Sequence, residues 1–217
     1  LHGLGVRPGD RVATFAWNHH RHLELYFAIP CFGAVLHTVN VRLAREQIAY
    51  IVTHAADRVL FVDRELVPAL LAALPDLPPG LRFVVMDDDG LGADAGLPGA
   101  LDYEALLAQG LPLAAPPVLD EQQAAGLCYT SGTTGEPKGV LYSHRSVVLH
   151  AFGCGMIDSL GISQRETVLP VVPMFHVNAW GLPYACALTG ARLVLPGSHL
   201  TGDALAGLIE GERVTFA

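Results

Sequence analysis

A run of glycine and hydroxyl residues near the middle of the chain, Tyr129-Thr-Ser-Gly-Thr-Thr-Gly-Glu-Pro-Lys-Gly139, has the composition of an anion-binding loop. Glycines let backbone N–H groups approach an anion closely, and hydroxyl oxygens can donate to phosphate or ligate Mg²⁺. Lys138 is the single lysine of the chain, and a compact ammonium group suits a phosphate oxygen. Most clusters of this composition are surface turns. The coincidence of glycines, hydroxyls, proline and the one lysine instead predicts a polyphosphate-binding loop.

This loop differs from the common P-loop of nucleotide-binding proteins. That pattern requires Gly-Lys followed by Ser or Thr at the start of a helix, whereas Lys138 follows Pro137 and precedes Gly139. The flanking residues 124–129 and 139–143 have the apolar character of short strands. A loop between two strands has no helix dipole to use, so its own amides, hydroxyls and Lys138 are expected to hold the phosphate.

A second run, residues 168–191, contains no charged residue and is long enough to span a bilayer. Prolines at this density break a transmembrane helix, because the freed backbone groups would find no water in lipid. The run is therefore predicted to be a buried strand at 168–172 followed by a helix that begins near Phe175. Its prolines are Pro170, Pro173 and Pro183.

Strand-like and helix-like runs alternate over most of the chain. This alternation predicts an α/β layered domain with a mostly parallel sheet flanked by helices. Strands are predicted at 11–16, 34–39, 58–62 and 81–86, and helices at 19–32 (kinked at Pro30), 43–54 and 65–74. Later predictions are a helix near 144–156 capped by Ser143, a strand-like run at 192–195, a helix at 201–210 and a strand at 214–216.

Residues 87–120 interrupt the alternation, since Gly, Pro and Asp dominate there apart from a predicted helix at 103–109. We expect an exposed excursion that joins two halves of one domain, residues 1–86 and 121–217. The chain begins without methionine and ends within a predicted strand. It is therefore expected to be a piece of a longer protein.

Composition limits the classes of partner. Over 217 residues the formal charge is −8, which argues against a nucleic-acid partner, and a hydrophobic content of 51% argues against disorder. The cysteines are widely spaced with no Cys-x-x-Cys pair, which indicates small buried residues in a reducing, cytoplasmic compartment. They are Cys31, Cys128, Cys154 and Cys186. The cluster at residues 19–22, His-His-Arg-His, is predicted to be a solvated helix face rather than a metal site.

Residues 129–145 resemble the phosphate-loop signature of the adenylate-forming enzymes, which comprise acyl-CoA synthetases, peptide-synthetase adenylation domains and luciferases. A second segment, Val168-Leu-Pro-Val-Val-Pro-Met-Phe-His-Val-Asn-Ala-Trp-Gly-Leu-Pro-Tyr184, is similar to the acyl-pocket motif of medium- and long-chain fatty acyl-CoA synthetases. Weaker similarity occurs in residues 5–13 and 33–40. The resemblance extends over essentially the whole chain, which is less than half of a typical family member.

The resemblance implies the larger, N-terminal AMP-binding domain of a fatty acid–CoA ligase. Such enzymes use ATP, Mg²⁺ and coenzyme A to convert a fatty acid to acyl-adenylate and then to acyl-CoA. It implies small-molecule substrates, no transmembrane span and compatibility with a homodimer. The family's adenine and ribose contacts, its second magnesium motif and its small C-terminal domain are absent, so the piece alone is expected to be inactive.

The resemblance also implies roles for individual residues. Lys138 and His176 would be catalytic, His176 lying beside the reacting carboxylate and α-phosphate. A hydroxyl of Thr130 or Thr133 would ligate Mg²⁺. The nucleotide would contact Thr130, Ser131, Gly132, Thr133, Thr134, Gly135 and Lys138. The acyl substrate would contact His176, Val177, Asn178, Trp180, Gly181 and Tyr184.

Other interpretations of these residues remain open. Taken without the resemblance, His176 would be a hydrogen-bonded core histidine and Trp180 a core aromatic residue. The whole protein could prefer aryl or short-chain acids. The chain could also be a non-catalytic module that binds a nucleotide.

Overall fold

A computed structural model of the chain describes residues 1–113, 115–130 and 136–217. Within this part, seven strands form one sheet, and every neighbouring pair is parallel except the last, β6 and β7. The strands are β1 Arg11–Phe15, β2 Val35–Thr38, β3 Val59–Asp63, β4 Arg82–Met86, β5 Leu101–Asp102, β6 Ala124–Thr130 and β7 Lys138–Ser143. Their order across the sheet is β5-β4-β3-β1-β2-β6-β7.

Helices cover both faces of this sheet. In the described residues they are α1 His20–Cys31, α2 Arg45–Ala55, α3 Val67–Ala73, α4 Tyr103–Gln109, α5 His144–Gly155, α6 Leu182–Thr189 and α7 Gly202–Gly211. A separate parallel pair consists of β8 Thr167–Val168 and β9 Arg192–Leu193. The predicted α/β layered domain with a mostly parallel sheet is confirmed.

Two hydrophobic clusters on opposite faces hold the sheet between its helices. Val12 packs with Ile29 of α1, whereas its neighbour Ala13 packs with Ile48 of α2 and Leu70 of α3. Successive side chains of a strand point to opposite faces, and all five of these residues are almost completely buried. Burial on both faces is what a parallel sheet requires, and it explains the continuous apolar runs of these strands.

The prediction of a solvated histidine face at the start of α1 holds for His20, which is exposed, but is wrong for His22. His22 is fully buried, its Nδ1 donates to the Trp17 carbonyl oxygen (2.9 Å), and its Nε2 accepts from the Thr14 hydroxyl (2.9 Å). Burial lowers the pKa of His22 to about 4. His19 Nε2 lies 2.6 Å from a carboxylate oxygen of Asp63. Groups at the carboxyl ends of β1 and β3 thus serve as hydrogen-bond partners of these two histidines. Among the described residues, no group of three metal-ligating side chains occurs.

Residues 87–120 are not exposed throughout, in contrast to the prediction. Leu101–Asp102 pairs with β4 and extends the sheet, while Leu97 and Tyr103 are buried. The predicted helix is confirmed as α4, and the Asp102 carboxylate caps it by accepting from the Ala105 amide at 2.8 Å. A two-residue strand is too short to show a periodic pattern, which explains why the sequence did not reveal it.

The strand predicted at 168–172 is reduced to Thr167–Val168. Pro170 has no N–H to donate to a ladder, and the carbonyl groups of Pro170 and Val172 accept from the side chain of Asn18 instead. The strand predicted at 214–216 is likewise a single parallel bridge, Val168 to Phe216. No helix in the described part is both long and apolar enough to cross a membrane.

The cysteine prediction holds for three of the four residues. All four are free, and all lie in the described part of the chain. Cys128, Cys154 and Cys186 are buried, whereas Cys31 at the end of α1 is exposed, in contrast to the prediction.

A buried hydrogen-bonded pair lies beneath the strand that leads into the predicted phosphate loop. His37 Nδ1 of β2 is 2.7 Å from a carboxylate oxygen of Asp57, and both side chains are completely inaccessible. Burial raises the pKa of Asp57, against the opposite effect of the neighbouring His37. The imidazole ring also packs against the ring of Tyr129, at a centroid distance of 5.1 Å.

Substitution His37→Ala is expected to lower the free energy of unfolding by about 3–5 kcal/mol, because it leaves the Asp57 carboxylate buried without a partner. Urea titration of the wild type and the variant measures the loss. A double variant, His37→Leu with Asp57→Leu, is expected to lose less, since it removes both polar groups. A larger loss in the double variant would contradict this account.

Candidate functional site

The strands that flank the predicted phosphate loop, β6 and β7, pair antiparallel, as expected. Thr130, the last residue of β6, pairs with Lys138, the first of β7, and both are exposed. Residues 131–135 lie outside the described part, so the roles of Ser131, Gly132, Thr133, Thr134 and Gly135 stay predictions. The register nevertheless brings the two ends of the loop together.

Side-chain packing at the base of the hairpin leaves little room for a Cβ at Gly139 on the opposite strand. A Cβ added to Gly139 would lie 3.0 Å from Leu127 Cδ1 and 3.3 Å from Tyr129 Cζ. The Tyr129 hydroxyl lies 2.6 Å from His54 Nδ1 of α2. Tyr129 is thus fixed from the sheet and from α2, one residue before Thr130.

One buried side chain holds the apolar motif against the sheet. Asn18, which is 1% exposed, donates from Nδ2 to the carbonyl oxygens of Pro170 (2.9 Å) and Val172 (3.2 Å). Its Oδ1 accepts from the Met174 amide at 2.6 Å. Asn18 follows β1, so these hydrogen bonds join the carboxyl edge of the sheet to a segment more than 150 residues later.

The orientation of Phe175 places the next residue, His176, at the surface. Trp17 packs edge-on against the Phe175 ring at 5.8 Å between centroids, and the Arg42 guanidinium lies 5.9 Å from the same centroid. The His176 side chain is exposed. The interpretation of His176 as a core histidine is therefore wrong, because its neighbour Phe175 takes the buried position.

The helix predicted to begin near Phe175 begins at Leu182, after a turn of left-handed backbone. Four consecutive non-glycine residues there have φ between 47° and 55°, and they are Val177, Asn178, Ala179 and Trp180. Such a conformation costs about 1–2 kcal/mol for each L-residue other than glycine. Gly181 follows with φ 71°, which suits glycine.

Side chains from three other parts of the chain offset this strain. The Cys128 thiol donates to Asn178 Oδ1 at 3.1 Å, and Ala179 is fully buried in the cluster around α1. His150 of α5 donates from Nε2 to the Trp180 carbonyl oxygen at 2.9 Å. Trp180 itself is 57% exposed, so the interpretation of this residue as a core aromatic is wrong.

A cavity of about 710 Å³ lies between α5 and this left-handed turn. Five of the predicted acyl-contacting residues line it, although the turn that carries them is not an α-helix. They are Val177, Asn178, Trp180, Gly181 and Tyr184. Its described lining contains no Asp, Glu, Lys or Arg, which suits an apolar ligand.

Sequence reasoning missed the opposite wall of this cavity, which α5 and its neighbours supply. The available signal was the set of apolar residues on α5, several of which are exposed, such as Leu149 and Phe152. The α5 residues in the wall are Ser146, Val147, Leu149, His150, Gly153 and Cys154, and Tyr142, Ser159 and Leu160 complete it.

A second, smaller cavity of about 180 Å³ lies beside the hairpin. It brings together Thr130 and Pro137 from the ends of the phosphate loop with Phe175 and His176 from the apolar motif. The remaining lining residues are Thr38, Asn40, Leu43, Gln47, Ile51 and Tyr129. The two sequence motifs, about 40 residues apart, therefore meet in space, and the apolar motif contributes to both cavities.

Residues 1–217, the whole chain, match the family model described as AMP-binding enzyme. The chain belongs to this family. Among its relatives, the medium-chain-fatty-acid–CoA ligase of Ectopseudomonas oleovorans is 51% identical over 214 residues, which are 99% of this chain and 39% of the relative. The 3-methylmercaptopropionyl-CoA ligase of Ruegeria pomeroyi is 53% identical over 217 residues, 100% of this chain and 40% of the relative.

The long-chain-fatty-acid–CoA ligase of Thermus thermophilus is 50% identical over 216 residues, 100% of this chain and 38% of the relative. The chain thus spans about 40% of the length of these relatives. A solved anthranilate CoA ligase, AuaEII in complex with anthranoyl-AMP, superposes with a TM-score of 0.85 at 24% identity, covering 99% of this chain and 41% of that one. That likeness concerns the fold of the AMP-binding enzymes.

Substitution Asn18→Ala is expected to lower the free energy of unfolding by at least about 3 kcal/mol, because three backbone groups lose a buried partner. Urea titration measures the change. As a control, Asn40→Ala removes one exposed hydrogen bond, to the Arg42 amide at 2.9 Å, and should cost less than about 1 kcal/mol. Equal losses in the two variants would contradict the role given to Asn18.

Proposed function

We propose that the protein of which this chain is a part is an ATP-dependent fatty acid–CoA ligase that acts on medium- or long-chain acids. Family membership and the two fatty acid–CoA ligases at 50–51% identity support this proposal. The main structural support is that one short segment, residues 175–181, lines two neighbouring cavities. Phe175 and His176 line the small cavity beside the phosphate loop, and Val177–Gly181 contributes to the large apolar one.

A ligand that bridges these cavities needs an apolar tail and an anionic head. The tail would lie in the large cavity, against the wall formed by Trp180 and α5. Each methylene buried there would add about 0.8 kcal/mol to the binding free energy. The carboxylate would then lie near His176, on the side of the segment that faces Thr130. A fatty acid has such a tail and such a head, and its carboxylate would lie beside the phosphates of ATP.

The first step of the proposed reaction joins two anions. A carboxylate oxygen attacks the α-phosphorus of ATP, a new P–O bond forms, and the bond to pyrophosphate breaks with its electron pair. Repulsion between carboxylate and polyphosphate is the main obstacle, so neutralisation of charge should dominate catalysis. In the second step the thiol of coenzyme A attacks the acyl carbon, loses its proton, and AMP leaves.

Lys138 and the backbone amides of residues 131–135 are proposed to hold the β- and γ-phosphates. Lys138 begins β7 at the base of the loop, and the described residues place no carboxylate within ion-pair distance of it. An ammonium group without a protein counter-ion can neutralise phosphate. His176, exposed beside the small cavity, is proposed to orient the carboxylate or to screen charge at the α-phosphate.

The donor atoms present fit Mg²⁺ only as a partner of the nucleotide. Thr130 presents a hard hydroxyl oxygen at the small cavity, and the hydroxyl of Thr133 is proposed as an alternative ligand. The described residues contain no cluster of three ligating side chains, so phosphate oxygens and water would complete the coordination. When bound, the ion would supply positive charge to the phosphates.

The arrangement of the chain within the whole protein is also a proposal. Residues 1–86 and 121–217 are proposed as halves of a single AMP-binding domain, since β2 of the first half pairs with β6 of the second. The free cysteines fit a reducing compartment, and a cytoplasmic location is proposed on that basis. A homodimer stays a prediction.

Substitution Lys138→Ala in the full-length protein is expected to lower ATP–pyrophosphate exchange at least about 100-fold, because a charge-assisted contact to the transferring phosphates is lost. Lys138→Arg keeps the charge but not the compact geometry of the ammonium group. Its exchange rate should therefore lie between those of the wild type and Lys138→Ala. Exchange measured with radioactive pyrophosphate reports the adenylation step without coenzyme A. Unchanged exchange in Lys138→Ala would remove the phosphate role of Lys138, and no exchange by the wild type with any acid would favour a non-catalytic module.

Activity of the full-length protein on acids of increasing chain length is expected to distinguish the candidate substrates. With saturated acids from four to sixteen carbons, kcat/KM should rise about fourfold per methylene until the large cavity is filled. A short sulfur-containing acid is the second candidate, because the 3-methylmercaptopropionyl-CoA ligase is 53% identical to this chain. A maximum at 3-(methylthio)propanoate, or at benzoate, with no rise along the series would replace the fatty-acid assignment.

A further inference from the structure

His150 makes a contact that the proposed chemistry does not use. Its imidazole projects from α5 into the wall of the large cavity, and Nε2 lies 2.9 Å from the carbonyl oxygen of Trp180. A carbonyl oxygen can only accept, so the Nε2–H of His150 is the donor. The accepting carbonyl belongs to the last of the four left-handed non-glycine residues.

The same imidazole also occupies the space beside the next residue of the turn. A Cβ added to Gly181 would lie 2.5 Å from His150 Cδ2 and 3.0 Å from its Nε2. Gly181 therefore combines a positive φ of 71° with an approach too close for a Cβ while the His150 ring keeps its position. One ring of α5 thus contacts both the end of the strained turn and the start of α6.

The contact is placed where it can determine the conformation of the turn. Left-handed backbone is unfavourable at Val177, Asn178, Ala179 and Trp180, so the turn persists only where its surroundings select it. Earlier in the turn, Asn178 is held by its hydrogen bond from the Cys128 thiol, and Ala179 is held by burial of its side chain. At the downstream end, the described side chains within hydrogen-bond reach of the Trp180 carbonyl are His150, at 2.9 Å, and the weaker Cys154 thiol, at 3.9 Å.

We propose that His150 is a positioning residue that selects the left-handed turn 177–181 and thereby fixes Trp180 and Asn178 in the wall of the large cavity. It acts through the backbone of Trp180 and does not take part in bond making. Its effect on substrate use rests on the proposed function, whereas its effect on the turn does not. Without the Nε2 donor, the turn populates other conformations and the cavity wall loses its fixed shape.

Two independent measurements test this inference on the full-length protein. The first is the ¹⁹F spectrum of protein labelled with 5-fluorotryptophan, in which the Trp180 resonance is assigned by its disappearance in Trp180→Phe. The second is a steady-state comparison of KM and kcat with dodecanoate. The variants are His150→Phe, which keeps an aromatic ring without a donor, and His150→Gln, whose amide can reach the position of Nε2.

Two further variants complete the set. His150→Asn keeps an amide on a side chain one methylene shorter, so it cannot donate from the position of Nε2. His199→Phe replaces an exposed histidine outside the cavity lining and serves as the control.

The inference predicts a shifted or broadened Trp180 resonance in His150→Phe and His150→Asn, and a nearly wild-type resonance in His150→Gln and His199→Phe. It also predicts that KM for dodecanoate rises at least about fivefold in the first two variants while kcat changes by less than about twofold. A wild-type Trp180 resonance in both His150→Phe and His150→Asn would overturn the proposal. If His150→Phe fails to fold, the Asn and Gln pair decides.

The two readouts separate this inference from the proposed function. A protein that ligates no fatty acid would refute the function, and the ¹⁹F comparison would still decide whether His150 selects the turn. Conversely, an active enzyme with equal losses in His150→Gln and His150→Phe would refute the hydrogen bond as the cause. Gln supplies the donor without the ring, and Phe supplies the ring without the donor, so neither group alone would then be enough to select the turn.

Discussion

The site depends on the three hydrogen bonds of one buried amide. Asn18 is placed by the end of β1, the central strand of a sheet that is covered on both faces. From there it satisfies three backbone groups of a segment whose prolines exclude a regular strand. A buried, unpaired carbonyl or amide is costly, so the segment has few alternatives to this path. Because the path is fixed, Phe175 turns inward, His176 turns outward, and the apolar motif divides between two cavities.

Strain concentrates immediately after this fixed point. The residues from Val177 to Trp180 adopt a conformation that L-amino acids avoid, and they do so where the wall of the large cavity is formed. Neighbours from β6, α1 and α5 hold the turn, so its shape belongs to the tertiary structure rather than to its own sequence. A local preference for helix at these positions is therefore overridden, which is common where backbone geometry serves a site.

The sequence was sufficient for the parallel sheet, its flanking helices and the hairpin, because apolar periodicity and glycine-rich turns are local signals. It also identified five residues that line one cavity and two that line the other. Three features escaped it for physical reasons. The edge strand Leu101–Asp102 is too short to show a period, and the left-handed turn contradicts the helical spacing of its own residues. His22 is buried because α1 folds back on β1, where Thr14 and the Trp17 carbonyl supply its polar partners. The wall formed by α5 was missed because apolar helix residues ordinarily indicate core packing.

The antiparallel pairing of β6 and β7 has a consequence for the order of folding. These strands are neighbours in the chain, whereas each parallel pair of the sheet needs a longer crossover. Closing a short hairpin sacrifices little chain entropy and takes microseconds, while non-local parallel pairings form late. The two ends of the hairpin loop, Thr130 and Lys138, can thus meet before the sheet that supports them is complete. The preformed hairpin would then dock onto β2 through β6.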